Sequence, residues 1–234
     1  MPTAVVTGCN SGIGNSFAQV LINEVIHPYR SKPQTVHQHL QQGYTVYATD
    51  YVVGEPLKAL KCNHAELNVR SPESVAAFGK SLTDSDTTID LILNVAGVMS
   101  PAGTDDLSTV SFDVLTKTFA SLLLRSQNPR IAIVSSRVGS IGDNSTGGSY
   151  AYRASKAAVN SVGKSLAMDL KDRGVVVSLL HPGFVKTNLD VRTHEMKEAV
   201  MPDEAAEKLW KVFSAKGMQD TGKFWHREGY ELPW

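Results

Sequence analysis

Several features are scarce or missing in this chain, and each absence removes a class of function. It has only two cysteines, Cys9 and Cys62, in 234 residues. They give neither a disulfide framework nor metal-ligand spacing, so no metal site is expected. A reducing compartment, the cytoplasm, is the natural expectation. There is no excess charge of either sign: 23 basic and 23 acidic residues sum to zero. That leaves no electrostatic case for nucleic acid or an anionic membrane. No apolar run approaches the ~18 residues of a membrane span. The first apolar strand begins almost at Met1, which reads as the absence of a secretory leader. Glu231-Leu232-Pro233-Trp234 matches no retention or lipidation signal. No internal repeat or low-complexity tract interrupts the chain. Its length suits one α/β domain over residues 1–234 with a sizeable core.

What is present is organised around Tyr152-Arg153-Ala154-Ser155-Lys156. Tyr152 and Lys156 are four apart and share one face of a helix. Ala157, Ala158, Val159, Val162, Leu166, Ala167 and Leu170 continue at helical spacing. A free phenol titrates near ~10 and is a poor acid or base at neutral pH. A nearby ammonium favours the phenolate, so the pair predicts a lowered phenol pKa and a proton-transfer device. The bland alternative is a partly buried Tyr beside a solvated Lys.

Upstream, the apolar run Ala4-Val5-Val6 leads into Thr7-Gly8-Cys9-Asn10-Ser11-Gly12-Ile13-Gly14, then an apolar helix from Phe17 to Ile22. Strand, glycine-rich turn and helix is the context of a dinucleotide site. Glycines admit a pyrophosphate to the backbone, and the helix N-terminus offers unpaired N–H groups and a positive dipole end. The segment from Val25 to Gln34, with two prolines and no clean period, reads as a surface excursion. Thr35 to Gln42 reads as an extended or restarted helix. Tyr44 to Thr49 is a β-rich strand ending in Asp50, placed to accept from adenosine ribose hydroxyls and to repel a 2′-phosphate. This favours NAD over NADP, with an ordinary strand-end Asp as the alternative. Asp50 lies 36 residues beyond Gly14, where about 20 is usual.

Ala65 to Val69 reads as a third strand, and Ser71-Pro72-Glu73-Ser74 as a capped helix start. Asp90 to Val95 is a fourth strand running into Ala96-Gly97; Asn94 either pins that turn or contacts a ribose. A helix is predicted within 105–125. Arg130 to Val134 is a fifth strand with Ser135 and Ser136 at its C-terminal end, where ligands meet open α/β sheets. Ser136 can hold a substrate oxygen while Tyr152 moves the proton; Ser140 is the rival serine and Tyr150 the rival phenol. Lys164 reads as solvated and His181 as structural. Gly174 to Leu180 is a sixth strand, followed by the turn Pro182-Gly183-Phe184-Val185-Lys186-Thr187. Residues 184–201 read as a mobile substrate cover, Pro202 to Phe213 as a helix and Gly222 to Trp225 as a last strand.

Taken together and in this order, these motifs resemble the short-chain dehydrogenase/reductase family. The matching residues are Thr7-Gly8-x-x-x-Gly12-Ile13-Gly14, Asp50, Asn94-Val95-Ala96-Gly97, Ser136, Tyr152-x-x-x-Lys156 and Pro182-Gly183. The stretch Ser135 to Lys156 and the ending Gly222 to Trp234 are most similar to the carbonyl-reductase-like branch that includes bacterial C-factor proteins and the insect sniffer protein. The resemblance implies a Rossmann-like doubly wound parallel sheet with helices on both faces. It implies hydride transfer between a nicotinamide cofactor and a carbonyl or alcohol, with Tyr152 as acid/base, Lys156 binding ribose and Ser136 polarising the carbonyl. It further implies cofactor contacts at Gly8, Asn10, Ser11, Gly12, Ile13, Gly14, Asp50, Asn68, Val69, Asn94, Ala96, Gly97, Tyr152, Lys156, Pro182, Gly183, Val185 and Thr187. Two departures stand out. Residues 25–42 hold an atypical insertion, and the span from Gly97 to Ile131 is short and lacks the family's fourth catalytic residue, an Asn. The same shortened helix normally supplies subunit contacts, so a homo-oligomer is an expectation without its usual interface. The alternative function is a cofactor-binding regulatory or signalling protein with little turnover.

Overall fold

The computed structural model describes residues 1–26, 41–97 and 119–234. Seven strands form one parallel sheet: β1 (Thr3–Thr7), β4 (Thr45–Asp50), β5 (Asn63–Glu66), β6 (Leu91–Asn94), β7 (Arg130–Val134), β8 (Val176–His181) and β9 (Lys223–His226). Their spatial order is β5-β4-β1-β6-β7-β8-β9. A separate antiparallel pair, β2 (Val25–Ile26) and β3 (Gln41–Gln42), matches Val25 to Gln42 and Ile26 to Gln41. The helices are α1 (Gly12–Asn23), α2 (Glu55–Lys58), α3 (Pro72–Asp84), α4 (Tyr150–Asp169) and α5 (Pro202–Ser214), and residues 119–123 are also helical.

Side-chain alternation along the strands explains the layers. In β1, Ala4 and Val6 face α1 and α5, where Phe17, Leu21, Trp210 and Phe213 are buried. Val5 faces the other way, onto Phe78, Leu82, Phe119 and Leu123. With both faces covered, the central strands read as nearly continuous apolar runs. β1 has parallel neighbours on both sides, β4 and β6, so the strand order reverses beside it. In open α/β sheets a crevice opens at the carboxyl ends of strands at such a reversal.

Several boundaries differ from the sequence reading. The third strand comes earlier, at Asn63–Glu66 rather than 65–69, because Asn68 N–H donates to Ser74 Oγ (3.0 Å) and turns the chain into the cap of α3. Ser71 caps that helix as expected, accepting from Ser74 N–H at 3.1 Å. The sixth strand starts at Val176, because Gly174 takes a left-handed turn at φ +72°. Gln41 and Gln42, read as the end of a helix, lie in β3. Most of the predicted helix within 105–125, and the body of the 25–42 insertion, lie outside the described residues. Lys164, read as solvated, instead donates to the Gly222 carbonyl at 3.3 Å.

Candidate active site

The turn after β1 packs its backbone against two other segments at the same sheet edge. Gly8, at φ +75°, lies so close to the β6 turn that a Cβ there would stand 2.9 Å from Ala96 Cα. Gly12 abuts Thr187 of the turn after β8, 3.2 Å from its methyl carbon to a notional Cβ. Gly14 is the tightest, because any Cβ would meet the Gly8 carbonyl oxygen at 2.1 Å. α1 starts without a side-chain cap from Ser11 and without an acidic residue in its first turn. Its first N–H groups and positive end are therefore available to an anion. A groove of about 430 Å³ lies there, lined by Asn10, Ser11, Gly12, Asn15, Pro56 and Met201 among others. Ile13 is half-buried against the core.

Asp50 closes the far side of that turn. Its carboxylate accepts from Asn10 N–H and Tyr51 N–H, both at 2.7 Å. The Asn10 side chain accepts from Gly54 N–H (2.9 Å) and donates to the Val52 carbonyl. Asn10 therefore ties the turn to the end of β4. Asn68 turns its carbonyl oxygen onto Arg70 N–H (3.0 Å), and Val69 packs on the core.

Asn94 is a pin. Thr7 Oγ1 donates to its Oδ1 (3.0 Å) and accepts from Val95 and Ala96 N–H at 3.1 and 3.0 Å. Among the described residues its Nδ2 is buried without a partner, and Gly97 is exposed.

The two serines after β7 have different fates. Ser135 Oγ is buried and donates to Asn160 Oδ1 at 2.6 Å. Ser136 caps a single 3₁₀ turn, Arg137–Gly139, and its hydroxyl lies close enough to Tyr152 to lower the pKa of the phenol. Tyr152 and Lys156 share one face of α4, with Lys156 Nζ 5.9 Å from the phenol ring centroid. Tyr150, the rival phenol, is 78% exposed, and Ser140 is buried and accepts from Asp143 N–H at 3.1 Å.

The expected acidification of Tyr152 by Lys156 is corrected here. Burial raises the phenol pKa above its usual value; the Ser136 hydrogen bond lowers it and the charge of Asp190 raises it further. Lys156 is itself pushed down to about 8 by burial. Removing both groups largely from water disfavours both charged forms.

The turn after β8 completes the edge. His181 is buried, as its structural reading required, and accepts from Arg137 N–H at 3.2 Å. Pro182 and Gly183 are held by Arg227, whose guanidinium donates to the carbonyls of Pro182 (2.6 Å), Phe184 (3.0 Å) and Glu198 (3.5 Å). Val185 bridges to Val200, so residues 185–200 form a loop closed at its base. Thr193 fastens it from inside, donating to the Val185 carbonyl at 2.9 Å. Asp190 on this loop is held by Arg192 and lies near enough to Tyr152 to act on its charge.

A family model for short chain dehydrogenases matches residues 2–198. This chain belongs to the short-chain dehydrogenase family. Over the whole of both chains it is 31% identical to a 1-hydroxy-2-glutathionyl-2-methyl-3-butene dehydrogenase of Rhodococcus sp. (strain AD45). Its fold superposes on an NADPH-bound carbonyl reductase from chicken fatty liver with a TM-score of 0.83 at 25% identity. That match covers 100% of this chain and 99% of the other. It also superposes on the carbonyl reductase Sniffer of D. melanogaster with a TM-score of 0.82 at 24% identity over 100% of both chains. In this short-chain dehydrogenase the sequence reading missed three contributors. Gly139 lets its turn lie on the backbone of α4, since a Cβ would stand 2.5 Å from the Lys156 carbonyl carbon. Asp190 and Arg227 were also missed. Gly139 carries no motif of its own, and the other two act through distant loops that no local pattern reveals.

Proposed function

We propose that the chain is a nicotinamide-dependent oxidoreductase of carbonyl and alcohol groups, with Ser136, Tyr152 and Lys156 as its catalytic residues. The observation that carries this is the Ser136 hydroxyl set beside a half-buried phenol that shares a helix face with a half-buried lysine. All three stand at the sheet edge that holds the glycine turn. The free first turn of α1 suits a pyrophosphate, and Asp50 suits a ribose diol. The nicotinamide, when bound, supplies or accepts the hydride. Tyr152 then gives a proton to the carbonyl oxygen or takes one from the hydroxyl. Ser136 donates a hydrogen bond to the same oxygen as charge builds on it. Reduction requires a protonated phenol, and burial keeps Tyr152 protonated at neutral pH. Oxidation requires the phenolate, which the Ser136 hydroxyl supports until the substrate oxygen takes its proton, and the Lys156 ammonium throughout.

Asp50 favours NAD over NADP in this reading, although the chicken enzyme cited above binds NADPH. The chain works on small molecules in the cytoplasm, as one domain. The regulatory alternative draws no support from the relatives that span the whole chain, whose names are those of a dehydrogenase and of carbonyl reductases. Tyr152→Phe is expected to cut NADH-linked reduction of an aldehyde panel about 10²- to 10⁴-fold, with cofactor binding retained. Unchanged turnover would remove Tyr152 from its role. Fluorescence titration is expected to show tighter binding of NADH than NADPH, and Asp50→Ser is expected to reverse the order. Tighter NADPH binding by the parent chain would overturn the reading of Asp50.

A further inference from the structure

We propose that Arg153 is a positioning residue that holds the Ser136 hydroxyl against the Tyr152 phenol. The inference rests on the catalytic reading above and extends it to a side chain that touches neither substrate nor cofactor. Ser136 stands 16 residues before Tyr152. The intervening chain packs poorly: residues 141–149 are exposed except for half-buried Asp143. Gly147, Gly148 and Ser149 take left-handed φ values of +63°, +68° and +49° in succession. Such a conformation is unfavourable for a serine, and Ser149 gives α4 no side-chain cap. A Cβ at Gly147 or Gly148 would meet nothing within 4 Å among the described residues. Apolar burial therefore does not fix this loop.

Polar contacts hold it instead: Gly142 N–H donates to the Trp234 carbonyl at 2.7 Å, Arg137 pairs with Asp143, and Arg153 gathers the half that leads into α4. Its Nε donates to the carbonyls of Gly147 (3.2 Å) and Gly148 (3.0 Å). One terminal nitrogen donates to the Val138 carbonyl at 3.2 Å. The other donates to Thr146 Oγ1 (2.9 Å) and the Gly147 carbonyl (3.1 Å). The backbone N–H of Arg153 adds a bond to the Ser149 carbonyl at 2.8 Å. Val138 lies in the turn that Ser136 caps, whereas residues 146–149 lead directly into α4. One guanidinium thus joins the two ends of the loop, from a helix position adjacent to Tyr152. Every side-chain acceptor is neutral, so what matters is the number and direction of donors. A planar fork with five N–H groups can serve this spread of acceptors; an ammonium on a flexible stem cannot. Losing the tie to the Val138 carbonyl loosens the turn that Ser136 caps, and a phenol from which the Ser136 hydroxyl drifts loses an aid to its charged form.

The test uses the full chain with Arg153→Ala, Arg153→Lys and Ser136→Ala, each also made with Tyr152→Phe. Turnover is read as NADH consumption with 4-nitrobenzaldehyde. The Tyr152 titration is read without substrate, as the ultraviolet difference between each chain and its Tyr152→Phe counterpart. Both arginine variants are expected to keep NADH affinity within about twofold and to lose about 10- to 100-fold in kcat. The phenol pKa is expected to move upward in Arg153→Ala as it does in Ser136→Ala. Combining those two changes is expected to add no further loss, and guanidinium ion is expected to restore part of the turnover of Arg153→Ala. An unmoved phenol titration in a folded Arg153→Lys or Arg153→Ala chain would overturn the inference, as would strictly additive losses in the double variant. If Tyr152→Phe is inactive while the arginine variants behave as the parent, only this inference fails. If Tyr152→Phe stays active, the catalytic reading itself fails.

Discussion

Lys156 and Tyr152 leave water together, and for both side chains burial favours the neutral form. For the lysine this has a thermodynamic consequence with a definite sign. Its folded pKa is about 8, below the usual ammonium value. Between that value and ~10.4 the unfolded chain binds more protons than the folded one, so stability rises with pH across the window. Below about 8 the full cost of burying the ammonium is present. Lys156→Met should therefore stabilise the cofactor-free protein at pH 7 by on the order of 2–3 kcal/mol while destroying turnover. Calorimetry at pH 7 and pH 10 checks this: the gain should shrink at the higher pH. The sequence made the Tyr152/Lys156 pair legible because four-residue spacing fixes a shared helix face. It could not give the sign of the phenol shift. That depends on how much chain covers the pair and on the charge of Asp190, far along the sequence.

Among the elements, the junction of β1 and α1 tolerates the least change. The helix begins so close to the strand that Gly14 presses on the Gly8 carbonyl. Gly14→Ala must push the two apart, with an expected loss of roughly 2–4 kcal/mol and of cofactor affinity together. Urea unfolding and NADH titration measure the two effects. This junction was readable in advance because an apolar strand, spaced glycines and an apolar helix each leave a local signature. The ends of β5 and β8 were less so. They are set by Ser74 accepting from Asn68 N–H and by the left-handed Gly174, and neither effect appears in hydrophobic periodicity. The pairing of Val25–Ile26 with Gln41–Gln42 was invisible for a similar reason, since two-residue strands have no period to detect.

At the scale of the whole molecule, alternating strands and helices with apolar strand cores predicted a covered parallel sheet, and the order of motifs put the candidate site residues at its carboxyl edge. Contacts between distant segments were not readable. His181 is one example, surrounded by His226, Arg137, Arg227 and Asp143 from three other stretches. Burial, with help from the neighbouring cations, pushes its pKa down to about 3. The unfolded chain takes up a proton near pH ~6.5 that the folded chain refuses. Stability from this group is thus intact above that pH and drains away as the pH falls toward 3. His181→Asn should flatten the acid limb of a plot of melting temperature against pH between about 6.5 and 4, at some cost at neutral pH. An unchanged acid limb would show that other groups govern it. Arg227 joins equally remote parts, reaching from β9 to the turn after β8 and to Glu198. This imposes an order on biosynthesis. A nascent polypeptide whose residues 185–200 have left the ribosome still lacks the arginine that gathers them. A chain stalled between Val200 and Arg227 would display its glycine turn and Tyr152 before the 185–200 loop is fastened. Competence to process substrate should accordingly arrive late in translation, after the framework of the sheet.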